Sequence, residues 1–146
     1  MRLKVCLNAK TGIEINPMNS KVTFEIEVDA ARNIACTRYI GKVTAADAKA
    51  AAEQAAELLP QLRPGFTAFV DLSCLEGMEL DCAPHIAKTM DLSKAAGVQR
   101  VVRVIPDPAK DIGLNILSLI HYRGQVQIIT CNTLAEAERV LGLGPG

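Results

Sequence analysis

The stretch Thr44–Leu72, TAADAKAAAEQAAELLPQLRPGFTAFVDL, contains the change of periodicity that decides the fold class. It begins with a capping-box pattern at Thr44 and Asp47, after which small apolar residues recur at helical spacing. Pro64 lies in the turn that ends this helix. The apolar run Phe66–Leu72 then follows between turn signals, which is typical of a buried central strand. A helix that leads straight into a buried strand indicates an α/β protein.

Upstream of this stretch, the sequence predicts an antiparallel hairpin. Lys21–Asp29 alternates between apolar and polar side chains, as expected of a strand with one face in water. Ala30–Asn33 is typical of a turn, and Ile34–Gly41 then returns as the second strand. Residues 1–20 form an N-terminal extension, either a strand or a loop, because glycine, proline and asparagine interrupt its pattern.

Downstream, predicted strands and helices alternate. After an irregular stretch around Glu76 and Gly77, a helix begins at Asp81 or Cys82 and stops at Gly97. The later elements are a strand at Val98–Ile105, a helix from Pro108 to Ile120, a strand at Val126–Thr130 and a helix that starts after Thr133.

The predicted architecture is therefore a single α/β domain over residues 21–141, followed by a flexible tail at residues 142–146. Strands that alternate with helices after an initial hairpin indicate parallel crossovers. We expect a mixed, mostly parallel sheet with an antiparallel N-terminal hairpin, covered by about four helices.

Charge and composition restrict the partners. The 16 Lys and Arg balance the 16 Asp and Glu, whereas a nucleic-acid-binding surface needs a cationic excess, and aromatic residues are only 3%. No apolar run is long enough to cross a bilayer, so neither nucleic acid binding nor stable membrane insertion is expected. The N-terminus lacks the continuous apolar segment of a secretion signal, and the five cysteines are scattered. These features predict a cytoplasmic protein with free thiols.

Several short phrases resemble the SpoIIAA-like fold of STAS domains, which occur in sulfate transporters and anti-sigma-factor antagonists. They are Gly41–Thr44, Phe69–Ser73, Gly97–Val104 and Thr133–Ala137. The resemblance extends over about residues 21–141 and looks greatest to stand-alone bacterial SpoIIAA-like proteins of unassigned function. It implies a non-enzymatic regulatory module that binds a protein partner.

In the anti-sigma-factor antagonists, the strand that resembles Phe69–Ser73 leads to an Asp-Ser-Ser-Gly-like motif whose serine is phosphorylated at a helix N-terminus. Here Asp81 matches the aspartate, and Cys82 stands where the phosphoacceptor would be. A thiol is not a normal substrate of such a kinase, so the resemblance implies a STAS-like module without the usual phosphoacceptor serine. The residues expected to contact the partner are Asp71, Ser73, Cys74, Asp81, Cys82 and His85.

Cys82 has two interpretations. A helix N-terminus lowers a thiol's pKa, which would make Cys82 a reactive or redox-sensing thiol, or the nucleophile of an enzyme beside His85. Alternatively, Cys82 is a small buried core residue. The spacing of Cys74, Cys82 and His85 matches no compact zinc site, and no phosphate-binding glycine loop is present. The sequence therefore predicts no metal, no cofactor and no assigned catalytic residue.

An alternative function is suggested by the apolar segments. The helix at Leu114–Ile120 is unusually apolar, which would suit a homodimer, an apolar ligand or a fully buried helix. Sec14-type lipid-transfer proteins have a similar fold, so a small lipid-like ligand between sheet and helices is the alternative to a protein partner. Asp71 ends a strand at the sheet edge where α/β proteins bind ligands, so it has either a ligand-binding or a loop-anchoring role.

Overall fold

The structure, a computed structural model, describes residues 22–105, 121–122 and 124–143. The expectations for residues 1–20 and for the helix at residues 108–120 lie outside these ranges. The strands of the described ranges are β1 (Phe24–Asp29), β2 (Ile34–Tyr39), β3 (Gly41–Val43), β4 (Thr67–Asp71), β5 (Leu75–Met78), β6 (Arg100–Val104) and β7 (Gln127–Cys131). The helices are α1 (Ala45–Leu58), α2 (Ala83–Ala96) and α3 (Leu134–Leu141), with 3-10 turns at Leu59–Gln61 and Leu80–Cys82.

The main sheet has five strands in the order β1-β2-β4-β6-β7. The hairpin pair β1–β2 is antiparallel and the other three pairs are parallel, which confirms the predicted mixed sheet. A second, two-stranded parallel sheet joins β3 to β5. β5 falls where an irregular stretch was predicted, and that prediction was wrong.

The main sheet separates two hydrophobic cores. Alanines of α1 and Ile86 and Met90 of α2 pack with Tyr39 and Val101 in the larger core. The smaller core contains Ala137 of α3 and lies on the other side of the sheet. None of the helices in the described ranges is long and apolar enough to cross a membrane.

Local sequence signals set the ends of the helices. Thr44 and Asp47 form the predicted capping box, because the Asp47 N–H donates to Thr44 Oγ1 at 3.2 Å and the Thr44 N–H donates to Asp47 Oδ2 at 2.9 Å. Four alanines on the inner face of α1 are buried: Ala48, Ala51, Ala52 and Ala55. Pro84 lies in the first turn of α2, and Gly97 ends this helix with a φ of 98°.

Candidate functional site

Leu80 is the most exposed large apolar residue of the described ranges, with 93% of its surface accessible. It lies in the 3-10 turn between β5 and α2, at the place where the sequence predicted partner contact. Three exposed carboxylates surround it in the chain, those of Glu76, Glu79 and Asp81. We call these four residues the Leu80 surface, which combines one apolar side chain with a local excess of negative charge.

Hydrogen bonds tie the Leu80 surface to the start of α1. The Glu79 N–H donates to the carbonyl of Val43 at 3.1 Å, and the Ala45 N–H donates to Glu79 Oε1 at 3.0 Å. The Cys82 N–H donates to the carbonyl of Glu79 at 3.0 Å, which closes the turn that carries Leu80. Leu80 is therefore held outward by the backbone on both sides of it, so little conformational entropy would be lost on binding.

Cys82 is buried beneath this surface, with 1% of its area exposed. Its Sγ lies 3.5 Å from the carbonyl of Val43 and donates a weak hydrogen bond to it. Burial raises the pKa of the Cys82 thiol, and the negative charges of Glu79, Asp47 and Asp81 raise it further. The hypothesis of an exposed, acidified thiol is wrong, and the alternative of a small core residue describes Cys82.

We expect native Cys82 to react slowly with iodoacetamide at pH 8, because its thiol is both inaccessible and protonated. Cys131 is also a buried free thiol with a raised pKa and serves as the internal comparison. Peptide mass spectrometry after timed alkylation should show similar slow labelling of both residues, and rapid labelling in urea. Faster labelling of Cys82 than of Cys131 in the native protein would revive the reactive-thiol hypothesis.

The remaining predicted site residues have different environments. Asp81 is exposed, and Ser73 and His85 are half-buried, so these three can contribute to a surface. Asp71 and Cys74 are buried. Cys74 is disulfide-bonded, which contradicts the expectation that all thiols are free. Buried residues cannot form the expected partner contact directly.

Asp71 instead anchors the loop after β4 and pairs with an arginine. Its Oδ1 accepts a hydrogen bond from the Ser73 N–H at 2.9 Å, which supports the loop-anchoring interpretation. Its Oδ2 lies 3.3 Å from Arg38 Nε, at ion-pair distance but without hydrogen-bond alignment. Arg38 also contacts Glu25 Oε1 through Nη1 at 2.8 Å. These three side chains lie across β1, β2 and β4 on the face covered by α3, as the strand register requires.

On the opposite face, a cavity of about 650 Å³ lies between the sheet and the helices α1 and α2. Small side chains border it on facing elements, among them Ala35, Ala55 and Ala68. Leu80 and Glu79 also line the cavity although they are exposed, so it opens to solvent beside the Leu80 surface. Its size falls within the range of about 300–1,000 Å³ that is usual for small-molecule sites.

One wall of this cavity is polar. Arg103 of β6 lines it and is 2% exposed, and Tyr122 and Ser93 line it nearby. A hydrogen bond joins the side chains of Tyr122 and Ser93. Burial raises the pKa of Tyr122 to about 12, although the neighbouring Arg103 cation acts in the opposite direction. Arg103 was not among the predicted site residues, although an arginine inside the β-branched run Val101–Ile105 is a signal that could have indicated it.

Metal ligands are not grouped in the described ranges, where no three His, Cys, Asp or Glu side chains lie close enough to hold an ion. The two histidines are in separate places: His85 is in the first turns of α2, and His121 Nδ1 lies 2.8 Å from Asp91 Oδ1. His121 therefore pairs with the carboxylate of Asp91, which lies away from Cys82 in the chain.

Comparison with solved structures establishes the fold. The chain is similar to an uncharacterized protein of the DUF3478 family with a SpoIIAA-like fold from Shewanella loihica PV-4, with a TM-score of 0.59 and 16% identity over 81% of this chain and 93% of that one. It is also similar to the anti-sigma factor antagonist SpoIIAA in its unphosphorylated form, with a TM-score of 0.55 and 15% identity over 82% of this chain and 98% of that one. No protein-family model and no curated protein matches the sequence significantly.

The chain therefore has a SpoIIAA-like fold, as the short sequence phrases suggested. Because a fold hosts many functions, the activity has to be argued from the Leu80 surface and the cavity.

Proposed function

We propose that this chain is a non-enzymatic, STAS-like interaction module that docks a protein partner on the Leu80 surface. The observation that carries this proposal is the 93% exposure of Leu80 on a turn whose backbone is fixed by hydrogen bonds. An apolar side chain on a fixed backbone loses little conformational entropy on binding, so it can contribute apolar contact to a protein interface at low cost. Docking at this place uses Asp81 and His85 as surface residues and does not need phosphorylation of Cys82.

Charge defines the partner's chemistry. Glu76, Glu79 and Asp81 place negative charge around Leu80, so the complementary surface has an apolar pocket bordered by lysine or arginine. The structurally similar SpoIIAA is an anti-sigma factor antagonist, which supports a regulatory protein partner for this fold. Electrostatic attraction of this kind accelerates association and weakens with salt.

Substitution of Leu80 by serine is expected to abolish partner capture without unfolding the domain, because the Leu80 side chain contributes little to the core. We expect Asp81→Lys to reduce capture by reversing one charge. The matched control is Val22→Ser, which changes the other large exposed apolar residue of the described ranges, 47% accessible. Quantitative pull-downs from the native host should recover the same proteins with wild type and Val22→Ser and lose them with Leu80→Ser. Equal recovery by all variants would contradict docking at Leu80.

Binding of a small apolar ligand is the second candidate function, and the 650 Å³ cavity favours it. A ligand whose apolar part packs against a lining of this size gains both dispersion and hydrophobic free energy. The cavity opens beside Leu80, which gives a ligand a route from solvent.

Native mass spectrometry of protein purified without detergent is expected to show a bound apolar molecule that solvent extraction removes. A second measurement is the uptake of a neutral fluorescent probe, N-phenyl-1-naphthylamine, by the extracted protein. Absence of both a co-purified molecule and probe uptake would contradict the ligand candidate and leave the docking proposal intact.

A further inference from the structure

Arg103 places a guanidinium in the wall of a largely apolar cavity. It is 2% exposed, although it belongs to a central strand with β4 on one side and β7 on the other. Its register partner on β4 is Val70, and Val70 pairs in turn with Thr37 on β2. All three residues line the cavity, so the strand register itself directs Arg103 to this side of the sheet.

Further polar groups accompany Arg103. Tyr122 and Ser93 also line the cavity, and both residues are more than nine-tenths buried. Arg103 lies close enough to Tyr122 to influence the titration of its hydroxyl. Ser93 lies in the last turn of α2, which leads into β6, and Tyr122 precedes β7, so helix ends and a central strand together supply this polar group.

We propose that the cavity binds an amphipathic acid, with its carboxylate at Arg103 and its apolar chain among the aliphatic side chains of the sheet, α1 and α2. This inference rests on the second candidate function and specifies the ligand's chemical class. Arg103 is the cation of the described lining, and Glu79 is its carboxylate. A carboxylate head group is attracted to Arg103 and repelled by Glu79, which orients the ligand.

Arginine is suited to this task for two geometric reasons. Its planar guanidinium matches a carboxylate with two parallel hydrogen bonds, whereas a lysine offers only a point charge. It also has five N–H donors, so it can hold a ligand carboxylate and retain other hydrogen bonds at the same time. The Tyr122 hydroxyl, which accepts the hydrogen bond of Ser93, adds one further donor in a low-dielectric environment, where such bonds are stronger than in water.

The test compares dodecanoate with dodecanol, which share the apolar chain and differ in the head group. Both displace N-phenyl-1-naphthylamine from the wild-type protein at pH 8, and we expect dodecanoate to bind at least about tenfold more tightly. Equal affinity for the two ligands would overturn the inference while supporting the apolar-ligand candidate. Failure of both ligands to bind would instead contradict the candidate function itself.

Variants test whether Arg103 causes the preference for dodecanoate over dodecanol. In Arg103→Gln, the affinity for dodecanoate should fall about tenfold and approach that for dodecanol, whose affinity changes little. Arg100→Gln is the matched control, because it removes a guanidinium of the same strand that does not line the cavity and should keep the preference. If Arg103→Gln does not fold, Tyr122→Phe provides the second measurement and should weaken dodecanoate binding alone. An unchanged preference in the folded Arg103→Gln variant, or in Tyr122→Phe when it is the test, would overturn the assignment.

Discussion

Replacement of Asp71 by alanine is expected to lower the free energy of unfolding by about 3–5 kcal/mol, because it leaves the largely buried charge of Arg38 without its buried partner. The Asp71 side chain is 0% exposed and lies 3.3 Å from Arg38 Nε. The substitution also removes the Oδ1 acceptor of the Ser73 N–H. Urea denaturation followed by circular dichroism measures the change.

Two comparisons separate the ion pair from general damage. Glu25→Gln removes the other partner of Arg38, but Glu25 is 34% exposed, so its loss should cost less than about 1 kcal/mol. The double variant Arg38→Met with Asp71→Leu replaces both charges with apolar groups and should recover much of the lost stability. An Asp71→Ala variant as stable as Glu25→Gln would show that the buried pair contributes little.

Replacement of Gly97 by alanine is expected to destabilise the domain by about 2–5 kcal/mol, the sum of backbone strain and a steric clash. Gly97 has a φ of 98°, and a Cβ built there would lie 2.9 Å from both Cα and Cβ of Pro64. This contact involves backbone rather than a flexible side-chain end, so α2 or the turn before β4 has to move. The hydrogen bond from the Gly65 N–H to the Gly97 carbonyl, 2.7 Å long, would be disturbed as well.

Gly142 offers a matched control for the steric part. It also ends a helix with a positive φ, 75°, but within the part of the chain that the structure describes, no atom beyond its chain neighbours and its own helix backbone lies within 4 Å of its hypothetical Cβ. Gly142→Ala should therefore cost only the conformational strain, about 1–2 kcal/mol. Thermal unfolding of both variants measures the difference between their losses of stability. Equal losses would mean that the contact with Pro64 adds no steric cost.

Helix caps and hydrophobic periods could be predicted from sequence because their causes are local. Thr44 and Asp47 satisfy backbone N–H groups at the start of α1. Pro84 lacks the N–H that would be unpaired in the first turn of α2, and the Gly97 N–H bonds to carbonyls of its last turn. The parallel order of β2, β4 and β6 then follows from alternation of strands with helices. The resemblance to the SpoIIAA-like topology could be predicted for the same reason, because that topology has the same alternation of strands and helices.

β5 could not be predicted because its cause is distant. Leu75–Met78 includes a glycine and a glutamate, which are unfavourable in strands, and it is a strand only by pairing with β3. Gly41–Val43 is itself only three residues long, so neither partner has a visible pattern alone. The pairing nevertheless positions the turn that exposes Leu80.

Burial determined the parts of the candidate site that sequence reasoning misjudged. The helix-dipole argument for Cys82 was physically sound, but desolvation and three carboxylates outweigh the dipole and raise the pKa. Arg38 and Arg103 lie inside central strands covered on both faces, and this position would have indicated buried charge before any coordinates.

The parallel strand order has a kinetic consequence. Only the hairpin brings neighbouring chain segments together, whereas each parallel pair joins segments roughly 30 residues apart. Closing loops over such separations costs conformational entropy before the stabilising strand contacts form. We therefore expect refolding to be slow compared with that of helical bundles of this length. Before the central strands have paired with their neighbours, their unpaired edges are exposed. The partly folded chain is then most vulnerable to self-association.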